Sequence, residues 1–146
     1  MKNTIKHTFF FPHPAELVWD YLTKPELLKQ WVMPPDIKLV VGHKFEFTTK
    51  PIPSMDFDGH FYCEVLEVVP FQKLAYSWKG GPEPGVINLD TIVCWTLVAK
   101  DNGTDLYLEQ SGFKDIVNAV IYDGMNGGWA QNIQKMLGFL NTRKNA

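Results

Sequence analysis

The sequence predicts an α+β fold in which a curved antiparallel sheet of about six or seven strands wraps around one long C-terminal helix. Three observations predict it. Short alternating segments separated by turn residues fill positions 44–111. A first strand is followed by two short helical patterns, and an apolar stripe at steps of three and four runs through the last thirty or so residues.

Ile5-Lys6-His7-Thr8-Phe9-Phe10-Phe11 reads as the first strand, ended by Pro12 and Pro14. From Pro14, which suits a first helical turn, Leu17, Val18, Tyr21 and Leu22 recur at helical spacing. Thr23 and Pro25 then cap and start a second short helix carrying Leu27, Leu28 and Trp31, and Pro34-Pro35 stops it. A short strand near Ile37–Val40 precedes the alternating Lys44–Thr48. His60–Val69 is a long strand closed by Pro70, and Leu74–Trp78 follows after a tight turn. Gly80-Gly81-Pro82-Glu83-Pro84-Gly85 is a loop. Asp90–Ala99 and Thr104–Ser111 are further strands, and the Asn102-Gly103 pair between them signals a hairpin. Short connections favour antiparallel pairing throughout. With neither repeat nor linker, residues 1–146 are expected to form a single domain.

The last segment carries Val117, Ile121, Met125, Trp129, Ile133, Met136, Leu137 and Leu140 on one face, with Gln131, Gln134, Lys135 and Asn141 opposite. Gly124, Gly127 and Gly128 interrupt it, each costing a helix interior about 1 kcal/mol against alanine. The helix therefore starts near Asn126 or tolerates a loosened first half from about residue 116.

Composition narrows the function classes. Of 146 residues, 45% are hydrophobic and 21% charged, which is ordinary globular usage, and the net charge of −2 comes with no basic face for nucleic acid. No stretch approaches the roughly 20 apolar residues that span a bilayer, and the N-terminus lacks an apolar export core. A cytoplasmic protein, with neither nucleic acid nor membrane as partner, is expected. Cys63 and Cys94 stand alone, without metal or redox spacing, and read as reduced thiols.

Several local signatures, taken in order, carry a resemblance. They are Ala15-Glu16-Leu17-Val18-Trp19, Leu27-Leu28-Lys29-Gln30-Trp31, Glu67-Val68-Val69-Pro70 with Leu74-Ala75-Tyr76-Ser77-Trp78, Trp95-Thr96-Leu97, Gln110-Ser111-Gly112-Phe113, and Gly128-Trp129 with Met136-Leu137. Together they span nearly the whole chain. The sequence resembles the family of homologues of the heat-shock chaperone ATPase activator, within the START-like (polyketide cyclase, Bet v-type) superfamily. That resemblance implies a helix-grip fold with a cavity left between helix and sheet. It also leaves room for a chaperone partner and a homodimer. Where this chain has Gln110-Ser111-Gly112, the family commonly has His-Ser-Gly, so a role for that histidine does not carry over.

The residues themselves name no catalytic group, metal site or cofactor. His7, His13, His43 and His60 are scattered, and no nucleophile elbow or phosphate loop occurs. Asp56 and Asp58 lie close together in a loop whose setting favours solvated carboxylates over an acid–base pair. Alternation puts Val93, Trp95 and Leu97 on one inward row, with Leu106, Leu108 and Gln110 on another. Leu74, Tyr76 and Trp78 form a third, and Phe45 with Phe47 a fourth. Most of these serve the core. The resemblance brings Trp78, Trp95, Gln110, Phe113, Met125 and Trp129 toward a cavity mouth, and adds Phe47, Met55, Tyr76 and Ile133 to the candidate ligand-binding set. Gln110 is the informative member, since a buried amide without partners costs about 1–3 kcal/mol. The function expected is therefore binding of a small hydrophobic or amphipathic molecule. The alternatives are a cyclase- or dehydratase-like enzyme in the same cavity, and a partner module that stimulates a chaperone ATPase from its surface.

Overall fold

The computed structural model describes residues 4–24, 26–28, 37–48, 57–83, 85–87, 89–113 and 119–144. Six strands form one antiparallel sheet: β1 (Thr4–Phe11), β2 (Lys44–Thr48), β3 (His60–Val69), β4 (Lys73–Gly80), β5 (Leu89–Lys100) and β6 (Gly103–Ser111). Their spatial order is β1-β6-β5-β4-β3-β2. Five tight connections would give a simple meander. Here the first strand instead pairs with the last, Ile5 opposite Gln110, so β1 and β2 lie at opposite edges.

Helix α1 (Ala15–Thr23) begins the crossing from one edge to the other. Pro14 takes the extended N-cap position, and its carbonyl accepts from the amides of Leu17 and Val18. Val18, Trp19, Tyr21 and Leu22 are buried. A further helical turn at 26–28 buries Leu28, and the rest of the expected second helix, Trp31 included, lies outside the described residues. The strand expected near Ile37–Val40 is not formed. Residues 37–43 bend and turn instead, with Ile37 buried and Val40 and Val41 exposed, because the Gly42 amide bonds the Val65 carbonyl and the His43 carbonyl takes the Val65 amide.

The sheet curves where β3 and β4 lose register between Val65 and Glu67. An extra residue on one strand bends it and increases its twist. Just before that point the Glu64 amide donates to Ser77 Oγ at 2.8 Å. The β5–β6 hairpin turns one residue earlier than the Asn-Gly pair suggested: Asp101 takes the positive φ of 52° and Gly103 already pairs with Lys100. Gly103 is required for a different reason, since a Cβ there would run into the Phe11 carbonyl.

Helix α2 (Ala119–Lys144) is continuous through Gly124, Gly127 and Gly128, so it does not begin at Asn126, and residues 114–118 before it lie outside the described residues. Trp129, Ile133, Met136 and Leu140 are buried against the sheet, while Gln134 and Lys135 stay exposed. Leu137, expected to be buried, is only partly so, because it sits at the edge of the stripe. Two polar ties fix the ends of this contact: His7 Nε2 donates to the Asn126 carbonyl at 3.0 Å, and His13 Nε2 meets Asn141 Oδ1 at 2.8 Å. No helix among the described residues is long and apolar enough to cross a membrane.

Ile133, 1% exposed at the centre of the stripe, is the position at which truncation should be felt most directly. Ile133→Ala is expected to cost about 2–5 kcal/mol in urea or thermal melts. Gln134→Ala, on the wet side, should stay within about 0.5 kcal/mol of the parent. Equal effects at the two sites would contradict a helix laid on the sheet by this face.

Candidate functional site

Alternation along four strands aims one aromatic or polar row from each at α2, and these rows meet behind Trp129. Phe47, Tyr76, Trp78, Trp95, Gln110, Phe113, Trp129 and Ile133 are all buried, and Met125 is partly buried. Met55 lies outside the described residues. The Trp129 ring lies 5.3 Å from Trp78 and 5.4 Å from Trp95 between centroids, the latter edge-on. Phe47 and Phe61 close on Trp78 at 4.8 and 4.5 Å. The expected site residues are thus brought together, but deep in the core rather than at a mouth, and with their rings in contact.

Gln110 is completely buried and fully occupied by side chains. Its Oε1 accepts from Trp129 Nε1–H at 2.8 Å, and its Nε2 donates to Thr91 Oγ1 at 2.9 Å and approaches Met125 Sδ at 3.8 Å. Tryptophan only donates, so the amide oxygen must face Trp129 and the amide nitrogen Thr91. Thr91 passes the chain on, its hydroxyl donating to the Trp78 carbonyl at 2.7 Å. A directional relay therefore runs Trp129, Gln110, Thr91, Trp78 across helix, β6, β5 and β4. Alongside it Trp95 Nε1–H donates to the Tyr76 hydroxyl at 2.9 Å.

Gly112 turns the chain out of β6 with a φ of 107°, and a Cβ there would crowd the Asp90 carbonyl. This gives the Gln110-Ser111-Gly112-Phe113 stretch a physical reading: a bridging amide, a turn only glycine makes without strain, and a ring returned to the core.

One group in this interior is left over. Trp78 Nε1, sealed from solvent, has no hydrogen-bond partner among the described residues. His60 Nδ1 also lacks a hydrogen bond, but a carboxylate oxygen of Glu46 lies 3.2 Å from it. Sequence reasoning missed Thr91, although it falls two and four residues before the inward Val93 and Trp95. In the loop expected to carry solvated carboxylates, Asp56 lies outside the described residues and Asp58 is partly exposed, accepting from the His60 amide at 3.0 Å, while Phe57 between them is buried and stacked on Phe61 at 4.4 Å.

Two features lie elsewhere. A shallow groove of about 690 Å³ on the outer face of β2–β4 is lined by Lys44, Glu46, Tyr62, Glu64, Ser77 and Lys79, on the other side of the sheet from the aromatic interior. Leu39, Val40, Val41 and Leu66 are exposed apolar residues that the sequence did not announce.

Burial pushes the Cys63 thiol up, with the Glu46 charge adding to the shift, and burial raises the Tyr76 phenol against the opposing pull of the Trp95 hydrogen bond. Both are acids whose folded pKa exceeds the unfolded one. The stability they contribute is therefore complete below their ordinary values of 9.0 and 10.0 and is lost as pH rises past them. Urea melts should show a stability that falls above about pH 9, and Cys63→Ala should reduce the slope of that fall. A profile unchanged by the substitution would show the thiol not to be held neutral by the fold.

No curated protein sequence matches the chain. Among solved structures, protein MLL2253 of Mesorhizobium loti is 34% identical, with 95% of this chain and 97% of that one covered and a TM-score of 0.83. Protein BH1534 of Bacillus halodurans is 26% identical over 92% of this chain and 94% of that one, with a TM-score of 0.72. Protein CV1439 of Chromobacterium violaceum shares the fold at 23% identity and a TM-score of 0.73, with 95% and 97% covered. Residues 12–141 match the model of a single family, and these residues include α1, the sheet from β2 to β6 and the relay on α2. The chain belongs to the family of Activator of Hsp90 ATPase homolog 1-like proteins, with a START-like helix-grip fold.

Proposed function

We propose that the chain binds a small apolar or amphipathic molecule in the interior between the sheet and α2, against Trp78, Trp95 and Trp129. The observation that carries this reading is the Trp78 indole N–H, buried without an acceptor among the described residues, beside a relay whose other members are paired. Leaving such a donor unmade costs about 1–3 kcal/mol, and native interiors hold few of them. A ligand oxygen recovers that energy on binding, while the surrounding rings supply apolar contact. Phe47, Phe113, Met125 and Ile133 frame the same region, and Gln110 serves it indirectly by holding Trp129 in place.

The enzyme alternative asks for a group that exchanges a proton near neutral pH. Tyr76 and Cys63, both held protonated by burial, do not serve as general bases there. The chaperone-partner alternative draws on the family description and on the exposed side chains of Leu39, Val40, Val41 and Leu66. It takes second place because an exposed patch by itself specifies no occupant.

A panel of fatty acids, sterols, flavonoids and aromatic polyketides tests the reading through tryptophan fluorescence and thermal shift. At least one class should quench the indole emission and raise the melting temperature, because it binds only the native state. Trp129→Ala should weaken that binding. Absence of both signals across the panel would contradict ligand binding.

A further inference from the structure

The binding reading just given, on which this inference rests, meets a geometric obstacle: Trp78 Nε1 is sealed on all sides, so no ligand atom reaches it while the rings stay where they are. Phe47, Phe61 and Tyr76, three of the rings against Trp78, are carried on β2, β3 and β4. Trp129 is carried on α2. Phe61 and Tyr76 stand on strands paired on both sides, and Phe47 on the edge strand is still tied to β3 opposite Phe61, whereas a helix residue moves with its own turn. Trp129 is therefore the ring that can withdraw without breaking a strand ladder, at the cost of its bond to Gln110.

The turn before it is built for that movement. Gly127 and Gly128 have no positive φ, and a methyl group at either meets nothing within 4 Å. Neither backbone conformation nor close contact requires glycine there, and each weakens a helix interior relative to alanine. The pair lies between two fixed points. On one side His7 holds the Asn126 carbonyl, and on the other Ile133, Met136 and Leu140 are buried against the sheet. Between them a single polar latch, the bond from Trp129 Nε1 to Gln110 Oε1, keeps the ring in place.

The same region states what the ligand must be. Among the described residues the buried His, Lys, Arg, Asp and Glu side chains are His13 and Asp105, and both are engaged elsewhere, with Asn141 and Lys100. Among the described residues no cation stands behind Trp78 to balance an anion, and an unpaired buried charge is strongly disfavoured. We propose that Trp129 is a removable plug on a Gly127–Gly128 hinge, and that its withdrawal offers Trp78 Nε1–H to the carbonyl or hydroxyl oxygen of an uncharged aromatic ligand.

Three probes of matched shape test this by calorimetry and stopped-flow: acetylnaphthalene, ethylnaphthalene and naphthoate. In the parent protein the ketone should bind about tenfold tighter than the hydrocarbon, the factor one added hydrogen bond supplies. Naphthoate should bind weakest. Trp78→Phe should abolish the ketone preference while hydrocarbon affinity persists. Gly127→Ala/Gly128→Ala should raise the melting temperature yet slow association of both neutral probes severalfold, an opposition that a purely structural role for the glycines does not produce. Equal affinity for ketone and hydrocarbon in the parent, or tighter binding of naphthoate, overturns the donor assignment and leaves the binding reading intact. Unchanged association in the alanine pair overturns the hinge. Failure of all three probes to bind removes this inference, and the binding reading falls only if the wider panel fails as well. The parent comparison and the alanine pair need no core substitution, so the test stands even if Trp78→Phe does not fold.

Discussion

The hydrogen bond from the Trp129 indole to the Gln110 amide is the interaction on which the arrangement of the interior depends. The apolar stripe of α2 fixes which side of the helix faces the sheet, but an apolar stripe slides and rotates at little cost. A directional bond between two buried polar groups does not, because moving either leaves both unsatisfied in a medium without water. Gln110 in turn is positioned by Thr91 and the Trp78 carbonyl, so the helix is keyed to three adjacent strands through one chain of donors and acceptors. Trp129 then fills the space between Trp78 and Trp95, and the position of every ring behind it follows.

The sheet that receives the helix owes its shape to where the chain begins. Because β1 closes beside β6, residues 12–43 must cross to the far edge before β2 can start, and the register change at Val65–Glu67 bends the strands along the way. The curvature turns inward-facing residues of β2 and β5, which are three strands apart in the sheet, toward the same helix. That convergence places Phe45 and Tyr76 edge to face at 5.3 Å, and Trp95 within reach of the Tyr76 hydroxyl. The outer face, by contrast, carries mixed charges and single ion pairs such as Lys73 with Glu67, which contribute little in water.

Much of this was legible in the sequence, for a simple reason. Period-two alternation reports which face a residue occupies, so Val93, Trp95, Leu97, Leu106, Leu108 and Gln110 could be turned inward from their positions alone. Helical spacing did the same for Trp129, Ile133, Met136 and Leu140. Alternation says nothing about which inward residue meets which across strands. The pairing of Gln110 with Thr91 and Trp129, and the Trp78 donor left without a partner among the described residues, depend on register and curvature and were out of reach. Local signals also failed where tertiary contacts outbid them. Ile37–Val40 has strand-like composition, yet the Gly42 amide donating to the Val65 carbonyl and the Val65 amide donating to the His43 carbonyl hold that stretch in a turn. Phe57 sits between two aspartates but is drawn into the core by Phe61.

The central claim is that a polar bond, and not apolar burial alone, sets α2 on the sheet. A double-mutant cycle of Gln110→Leu and Trp129→Phe, read by urea denaturation, isolates that bond from the burial each side chain also contributes. If the bond holds the interior together, the double variant should lose about 1–3 kcal/mol less than the sum of the two single losses. Single losses that add to within about 0.5 kcal/mol would show that the two side chains act independently, and would contradict the account.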